Sequence, residues 1–438
     1  MSLKKNCLIL LILLMLNACS STPVVEKKIE TSPSTNTQTK ATHCPCEQSK
    51  PSVTSPTAAL PEEKKPLEAP TQMPKIPEYS LLKASSWESM DGFNQENLSL
   101  AWPAWQQSCS ALKNKATWRN VCVAAQKLDV DFASKPSDTD ILNYFKTHFS
   151  VYQATNIDGT DTGMITGYYE PQLKGSRTQS AQFPYPLYTT PPDLISVALD
   201  EIYPELKFKR LRGRLNGNKL VPYFNRAEIE AENSPIARQA FVYVSDKIDL
   251  FFLQIQGSGL ITLENGEQMH VGYADQNGHT YQSIGKFLIA NGELTPSEAS
   301  MQGIKLWASK NPEKLQALLN QNPSYVFFRE LPAGLPGPLG ALGVPLLAEY
   351  AVAVDPKMIP LGAPVFLSTT MPNSVQPLKK IVMAQDTGGA IKGGVRADFF
   401  WGSGNAAGEK AGAMKQSGKI WVLLPKDFVI QQNNFPTP

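Results

Sequence analysis

The chain has 438 residues, with 41 Lys and Arg against 39 Asp and Glu and a formal net charge of +2. No basic block or stripe accompanies this balance, so the footprint of a nucleic-acid binder is missing and nucleic acid is excluded as a partner. The four histidines are scattered and the six cysteines show no ligand spacing, which leaves a metal site without support, and no cofactor is implied.

Met1-Ser2-Leu3-Lys4-Lys5 gives a positive start, and Leu8 to Leu16 is an unbroken apolar run. That run is too short to span a bilayer and reads as the core of an export signal over residues 1–18. Its ending, Leu16-Asn17-Ala18-Cys19, resembles the lipobox of bacterial lipoproteins. The resemblance makes Cys19 the acylated first residue of the mature chain. Ser20, where inner-membrane lipoproteins often carry Asp, favours the periplasmic face of the outer membrane. A plain secretory signal with an incidental cysteine is the alternative. Residues 19–80 are crowded with Pro, Ser, Thr, Lys and Glu, cannot bury enough apolar surface to offset their ordering entropy, and read as a disordered tether.

The roughly 350 residues that follow suffice for two domains. Cys109 and Cys122 fall in helical segments, and an oxidised pair there would close a small loop. Ser137 and Asp138 start a helix carrying Ile141, Leu142, Phe145 and Phe149 on one side. Met164–Tyr169, Gln239–Val244 and Asp249–Ile255 read as strands. Thr295-Pro296-Ser297-Glu298 and Asn311-Pro312 read as helix starts. From residue 344 the runs Val344–Leu347, Ala351–Val354, Pro364–Leu367, Ile381–Ala384 and Ile420–Leu424, broken by Pro and Gly, point to a closed or nearly closed barrel.

Two aspartates twelve positions apart, Asp386 and Asp398, bracket the glycine-rich Thr387-Gly388-Gly389-Ala390-Ile391-Lys392-Gly393-Gly394-Val395-Arg396-Ala397. The glycines let the backbone turn tightly between two acids that face one cleft, which makes this stretch the candidate seat of chemistry. Two acids capping their own loops are the alternative. Phe399, Phe400 and Trp401 desolvate Asp398 and Asp386 repels its charge; both effects favour a protonated carboxyl suited to protonating a leaving oxygen.

Gly167-Tyr168-Tyr169-Glu170-Pro171, Phe252-Leu253-Gln254-Ile255-Gln256-Gly257-Ser258-Gly259, Gly272-Tyr273-Ala274, Val354-Asp355-Pro356 with Ile359-Pro360-Leu361-Gly362, and the Asp386–Asp398 stretch together resemble the membrane-bound lytic murein transglycosylase A family. The resemblance spans about residues 90 to 425. It implies a mainly β fold: a double-psi β-barrel from residues 81–177 and 326–438, with peripheral helices, interrupted by a second β-rich domain at 178–325. The Asp355, Asp386 and Asp398 blocks resemble the barrel module named for three aspartates. The implied activity is that of a lyase, a peptidoglycan lytic exotransglycosylase. It cuts the β-1,4 bond between N-acetylmuramic acid and N-acetylglucosamine and leaves a 1,6-anhydromuramic acid end. Asp398 aligns with the catalytic acid, serving as acid and then base, with Asp386 and Asp355 in support. The implied partners are peptidoglycan glycan strands, the outer membrane through the lipid anchor, and cell-wall synthesis or division proteins that the tether would let it reach.

Tyr168, Tyr169 and Glu170 are candidates to line the groove, although paired tyrosines suit any strand. Gln254, Gln256, Ser258 and Tyr273 offer polar groups for N-acetyl and hydroxyl recognition, or else the amides of a hairpin. Lys392 and Arg396 would meet lactyl or peptide carboxylates, or buffer the local acids. Asp355, before a proline, suits a turn. Two other functions fit the same residues: a muramidase that adds water, and a non-catalytic wall-binding protein.

Overall fold

In this computed structural model the described residues are 78–93, 97–131 and 135–430; the expected export signal, Cys19 and all but the end of the expected tether lie outside them. A short strand β1 (Leu82–Ser85) precedes three helices, α1 (Leu98–Leu112), α2 (Ala116–Asp131) and α3 (Asp138–His148). The start of α3 is a reciprocal cap: the Ser137 hydroxyl accepts from the Asp140 amide, and the Asp140 carboxylate accepts from the Ser137 amide. Ile141 and Phe145 are buried as the spacing predicts, while Phe149 is buried one step later, as the first residue of a strand. Cys109 and Cys122 form a disulfide with Cα atoms 5.2 Å apart, joining α1 to α2.

The chain then runs through β2 (Phe149–Ala154) and β3 (Gly163–Glu170), and after Pro171 leaves this sheet for a second one. The excursion contains β4 (Gln172–Ser176), β5 (Tyr185–Tyr188), β6 (Ile195–Ser196), β7 (Arg212–Asn216), β8 (Lys219–Pro222), α4 (Arg226–Ile229), β9 (Ala240–Val244), α5 (Lys247–Gln256), β10 (Ser258–Leu263), β11 (Gln268–Gln276), α6 (Ile284–Ala290), α7 (Met301–Lys310), α8 (Leu315–Leu319) and β12 (Val326–Glu330). It returns through β13 (Ala351–Val354), β14 (Pro364–Thr370), β15 (Pro377–Asp386), β16 (Arg396–Ser403), α9 (Asn405–Ala413) and β17 (Lys415–Pro425).

The first sheet has the order β1-β2-β17-β14-β15-β13-β16-β3, and β17 also pairs with β3, so the strands from β17 to β3 close into a ring. Closure uses two halves of one strand. Lys415–Gly418 pair with Thr166–Gly163 of β3, and Lys419–Val422 pair with Ser368–Val365 of β14. Val365, Phe366, Ile381, Val382, Val422 and Leu423 are fully buried, and because neighbours on a strand point to opposite faces, the ring is packed on its outer face as well as inside. The second sheet has the order β12-β11-β10-β4-β9-β5 and takes in residues on both sides of 178–325; β6, β7 and β8 form a small third sheet.

The fold is therefore mixed β and helical rather than mainly β. Asp249–Ile255, read as a strand, lies in helix α5. A short apolar run has no periodicity that separates the two states, and the ends decide. Asp246 accepts from the Ile248 and Asp249 amides at 2.8 and 2.9 Å, and Gly257 ends the helix with a left-handed φ of 79°. Thr295–Glu298 makes a single turn, and α7 starts later at a Ser300 cap. Val344–Leu347 is not a strand either; Pro345 makes one isolated bridge with Leu339.

Replacing both Cys109 and Cys122 by Ala should lower stability by about 2–3 kcal/mol, from the entropy regained by the small loop they close. Urea unfolding of the oxidised protein and the double variant measures this.

Candidate active site

Strand register assembles the two acids. Ala353 of β13 is paired on one side with Asp386 of β15 and on the other with Asp398 of β16. With strands spaced about 4.8 Å apart, this puts the two backbones about 10 Å apart across one intervening strand. Asp398 is in turn paired with Thr166 of β3, and Phe400 with Tyr168, so β3 supplies the next wall. Behind β15, the buried Gln385 donates to the Ala104 carbonyl at 2.8 Å and to Ser108 Oγ at 3.0 Å, which fixes the strand end that carries Asp386 onto α1.

Asp386 is held by three donors: Tyr168 Oη at 3.0 Å on Oδ2, and the Ala341 and Thr387 amides, both at 2.9 Å, on Oδ1. Burial raises its pKa, and these donors oppose the rise. The Tyr168 ring lies 5.1 Å from Phe400, which fixes the phenol that reaches Asp386.

Asp398 has one hydrogen-bond partner among the described residues, Thr166 Oγ1 at 2.5 Å on Oδ1. Arg396 Nη2 donates to that same hydroxyl at 2.9 Å. Because guanidinium only donates, the threonine hydroxyl must aim its single proton at Asp398, leaving Oδ2 to carry the acid proton. Burial pushes the Asp398 pKa up to about 6; Asp386 adds to the rise, while Thr166 and Arg396 oppose it.

Both acids line a groove of about 690 Å³, with Tyr168, Gln254, Gln256, Ser258 and Tyr273 on its walls. The remaining sequence candidates lie elsewhere. Strand alternation turns Tyr169 away from Tyr168; it packs in the main core, touches Met301 Sδ at 3.2 Å, and lines a smaller cavity of about 210 Å³. Glu170 is buried outside the groove, accepting from Ser403 Oγ at 2.6 Å and lying 3.1 Å from His270 Nδ1. Asp355 organises its turn by accepting from the Lys357 and Gly393 amides, and Lys392 lies 3.9 Å from its carboxylate instead of facing the groove. Arg396 acts on Thr166 and on backbone carbonyls.

Sequence reasoning missed Thr166, Arg210, Arg226 and Arg329. Thr166 was within reach, because a period of two puts it on the same face as Tyr168. Arg226 is buried on the groove wall and donates to Gln254 Oε1 at 2.6 Å, which sets the orientation of that amide. No group of three or more His, Cys, Asp or Glu among the described residues is arranged to hold a metal ion.

A groove with two buried carboxyls raised above the ordinary range, one of them with a free oxygen, and walls of amides and phenols defines an enzyme that breaks glycosidic bonds. Two family descriptions match the chain: "MltA specific insert domain" over residues 164–329 and "3D domain" over residues 350–424. The chain is 32% identical over 291 residues to membrane-bound lytic murein transglycosylase A of Escherichia coli K12, covering 65% of this chain and 72% of that protein. The structure of MltA from Neisseria gonorrhoeae, monoclinic form, superposes with a TM-score of 0.68 at 36% identity, covering 80% of this chain and 93% of that one. Escherichia coli MltA with bound chitohexaose superposes with a TM-score of 0.55 at 28% identity, covering 74% and 89%. The chain belongs to the MltA family of lytic murein transglycosylases and carries the family's C-terminal 3D domain.

Two predictions test the electrostatics. An acid whose folded pKa lies above its unfolded value binds more protons when folded. Its contribution is therefore fully present below the unfolded pKa of about 4 and is lost as pH rises through about 6. Asp398→Asn should thus raise stability at pH 7 by about 1–3 kcal/mol, a gain that disappears near pH 4 in thermal unfolding measured across pH. Thr166→Val removes a donor to the carboxylate, so the alkaline limb of activity should move to higher pH.

Proposed function

We propose that the chain cleaves the β-1,4 bond between N-acetylmuramic acid and N-acetylglucosamine in peptidoglycan without adding water, with Asp398 as acid and then base. The observation that carries this reading is a single available carboxyl in the groove. Asp398 is raised to about 6 with Oδ2 free, while both Asp386 oxygens are already engaged.

Asp398 Oδ2–H protonates the glycosidic oxygen as the bond to C1 of the muramyl unit breaks. The positive charge that develops at C1 and the ring oxygen is offset by Asp386, whose place is fixed before the reaction begins. The Asp398 carboxylate then removes the proton from the C6 hydroxyl, and O6 closes onto C1 to give the 1,6-anhydro ring. The proton balance is restored with no water consumed. A hydrolase would need a second carboxylate to activate water or attack the sugar. Asp386, bound by Tyr168 and two amides, has no oxygen left to activate water.

The six-strand ring is consistent with a double-psi β-barrel, and the second sheet with a domain inserted into it; both belong to this proposal. So do export, acylation at Cys19, and a site of action at the periplasmic face of the outer membrane, where the tether would give access to cell-wall synthesis or division proteins. The membrane-bound relative and the chitohexaose complex of Escherichia coli MltA support a groove for β-1,4-linked amino sugars on an anchored protein.

Mass spectrometry of products released from purified sacculi by the chain lacking residues 1–19 tests the reaction. Fragments ending in 1,6-anhydromuramic acid are expected, and none with Asp398→Asn. Fragments with reducing muramic acid would mean hydrolysis, and turnover by Asp398→Asn near the wild-type rate would remove Asp398 from its role. Cleavage should also fall as pH rises through about 6, because the acid form is then lost.

A further inference from the structure

Three arginines line the groove: Arg210, Arg226 and Arg329. Arg226 is spoken for. It is buried and bonds to Glu230 at 2.7 Å, Gln254 at 2.6 Å and the carbonyls of Asn322 and Ser324. The other two are exposed and form no ion pair with a carboxylate among the described residues. Arg210 lies over the Tyr273 ring at 5.5 Å, interacts with the Tyr273 hydroxyl and reaches Thr387 Oγ1 at 3.4 Å, which still leaves guanidinium donors for a ligand. The Arg329 side chain makes no hydrogen bond or ion pair among the described residues; its backbone is paired with Gly272.

No nearby acid forms an ion pair with either among the described residues, although the Arg210 charge is felt at Asp386. Asp275 takes Arg212 at 2.8 and 3.0 Å, and Glu330 takes Arg177 at 3.0 and 2.9 Å. The Asp386 oxygens are engaged by Tyr168, Ala341 and Thr387. The groove therefore presents two guanidinium groups on its lining that form no ion pair with a carboxylate among the described residues. Lys392 and Arg396, the cations that sequence position suggested for this task, are committed elsewhere.

A β-1,4 chain of N-acetylglucosamine is neutral, whereas a muramyl unit carries a lactyl carboxyl, or a stem peptide with carboxylates of its own. We propose that Arg210 and Arg329 form a carboxylate-binding wall that selects muramyl units, through the lactyl or stem-peptide carboxylate, over neutral amino-sugar chains. This rests on the peptidoglycan reading above and specifies which part of that substrate the groove reads. The planar fork of each guanidinium fits a carboxylate with two hydrogen bonds.

The test uses equilibrium binding to the Asp398→Asn protein, so that it does not depend on turnover. The probes are a disaccharide tetrapeptide muropeptide, the same disaccharide with a free lactyl carboxyl, and chitohexaose. Adding Arg210→Gln and Arg329→Gln together should weaken muropeptide or lactyl-disaccharide binding roughly tenfold, as loss of charge-assisted bonds implies. Chitohexaose binding should change less than about twofold on the same scale. The probe that loses more identifies the carboxylate source. Arg329→Lys, which keeps the charge without the fork, should recover part of the loss. Unchanged affinity for both muramyl probes, or equal weakening of chitohexaose, would overturn the proposal. Failure of the wild-type chain to release anhydro products would count against the reaction and leave this binding comparison intact.

Discussion

The active groove depends on one strand being shared. β17 pairs with β3 through Lys415–Gly418 and with β14 through Lys419–Val422, and this double use closes the ring. Without closure, β3 would be held by β16 alone, and Thr166 and Tyr168 would lose the support that presses them against Asp398 and Asp386. Hydrogen bonds along a closed ring have no free edge to fray, so the registers on both sides of Ala353 are fixed together. The chemistry is thus placed by backbone pairing, with side-chain contacts refining it.

The same placement sets the charges. Desolvating a carboxylate is costly, and the protein offsets that cost differently for its two acids. Asp386 receives three hydrogen bonds on a strand end anchored through Gln385, which oppose the upward push of burial and leave both of its oxygens engaged. Asp398 receives one, from a hydroxyl whose direction Arg396 dictates, and stays poised near pH 6. Two identical side chains thus sit in different hydrogen-bonding environments because their donor counts differ. Stability is given up locally to keep Asp398 in that condition, a common arrangement at catalytic groups.

How much of this was readable from sequence follows from the range of each signal. Ala351–Val354, Pro364–Leu367, Ile381–Ala384 and Ile420–Leu424 announced their strands through β-branched runs, and the glycine-rich interval singled out Asp386 and Asp398. Asp249–Ile255 misled because its apolar run fits a buried helix equally well, and the deciding Asp246 and Gly257 stand outside the run. Tyr169 and Glu170 were grouped with Tyr168 by adjacency, although a strand turns neighbours to opposite faces. Thr166 meets Asp398 across 232 positions, and Arg210 meets Thr387 across 177, distances over which local pattern carries no register. The groove is lined by strands of both sheets, a juxtaposition that no local periodicity carries.

The most direct measurement is a carboxyl titration of the folded protein by carbon-13 NMR with labelled aspartate, compared with the same titration of Asp398→Asn. A single resonance with a midpoint near pH 6, absent from the variant, is the expected result. If every aspartate of the wild-type protein titrates below about pH 4.5, in the ordinary range for exposed carboxyls, Asp398 would be ionised at neutral pH and could not be the acid that starts the reaction.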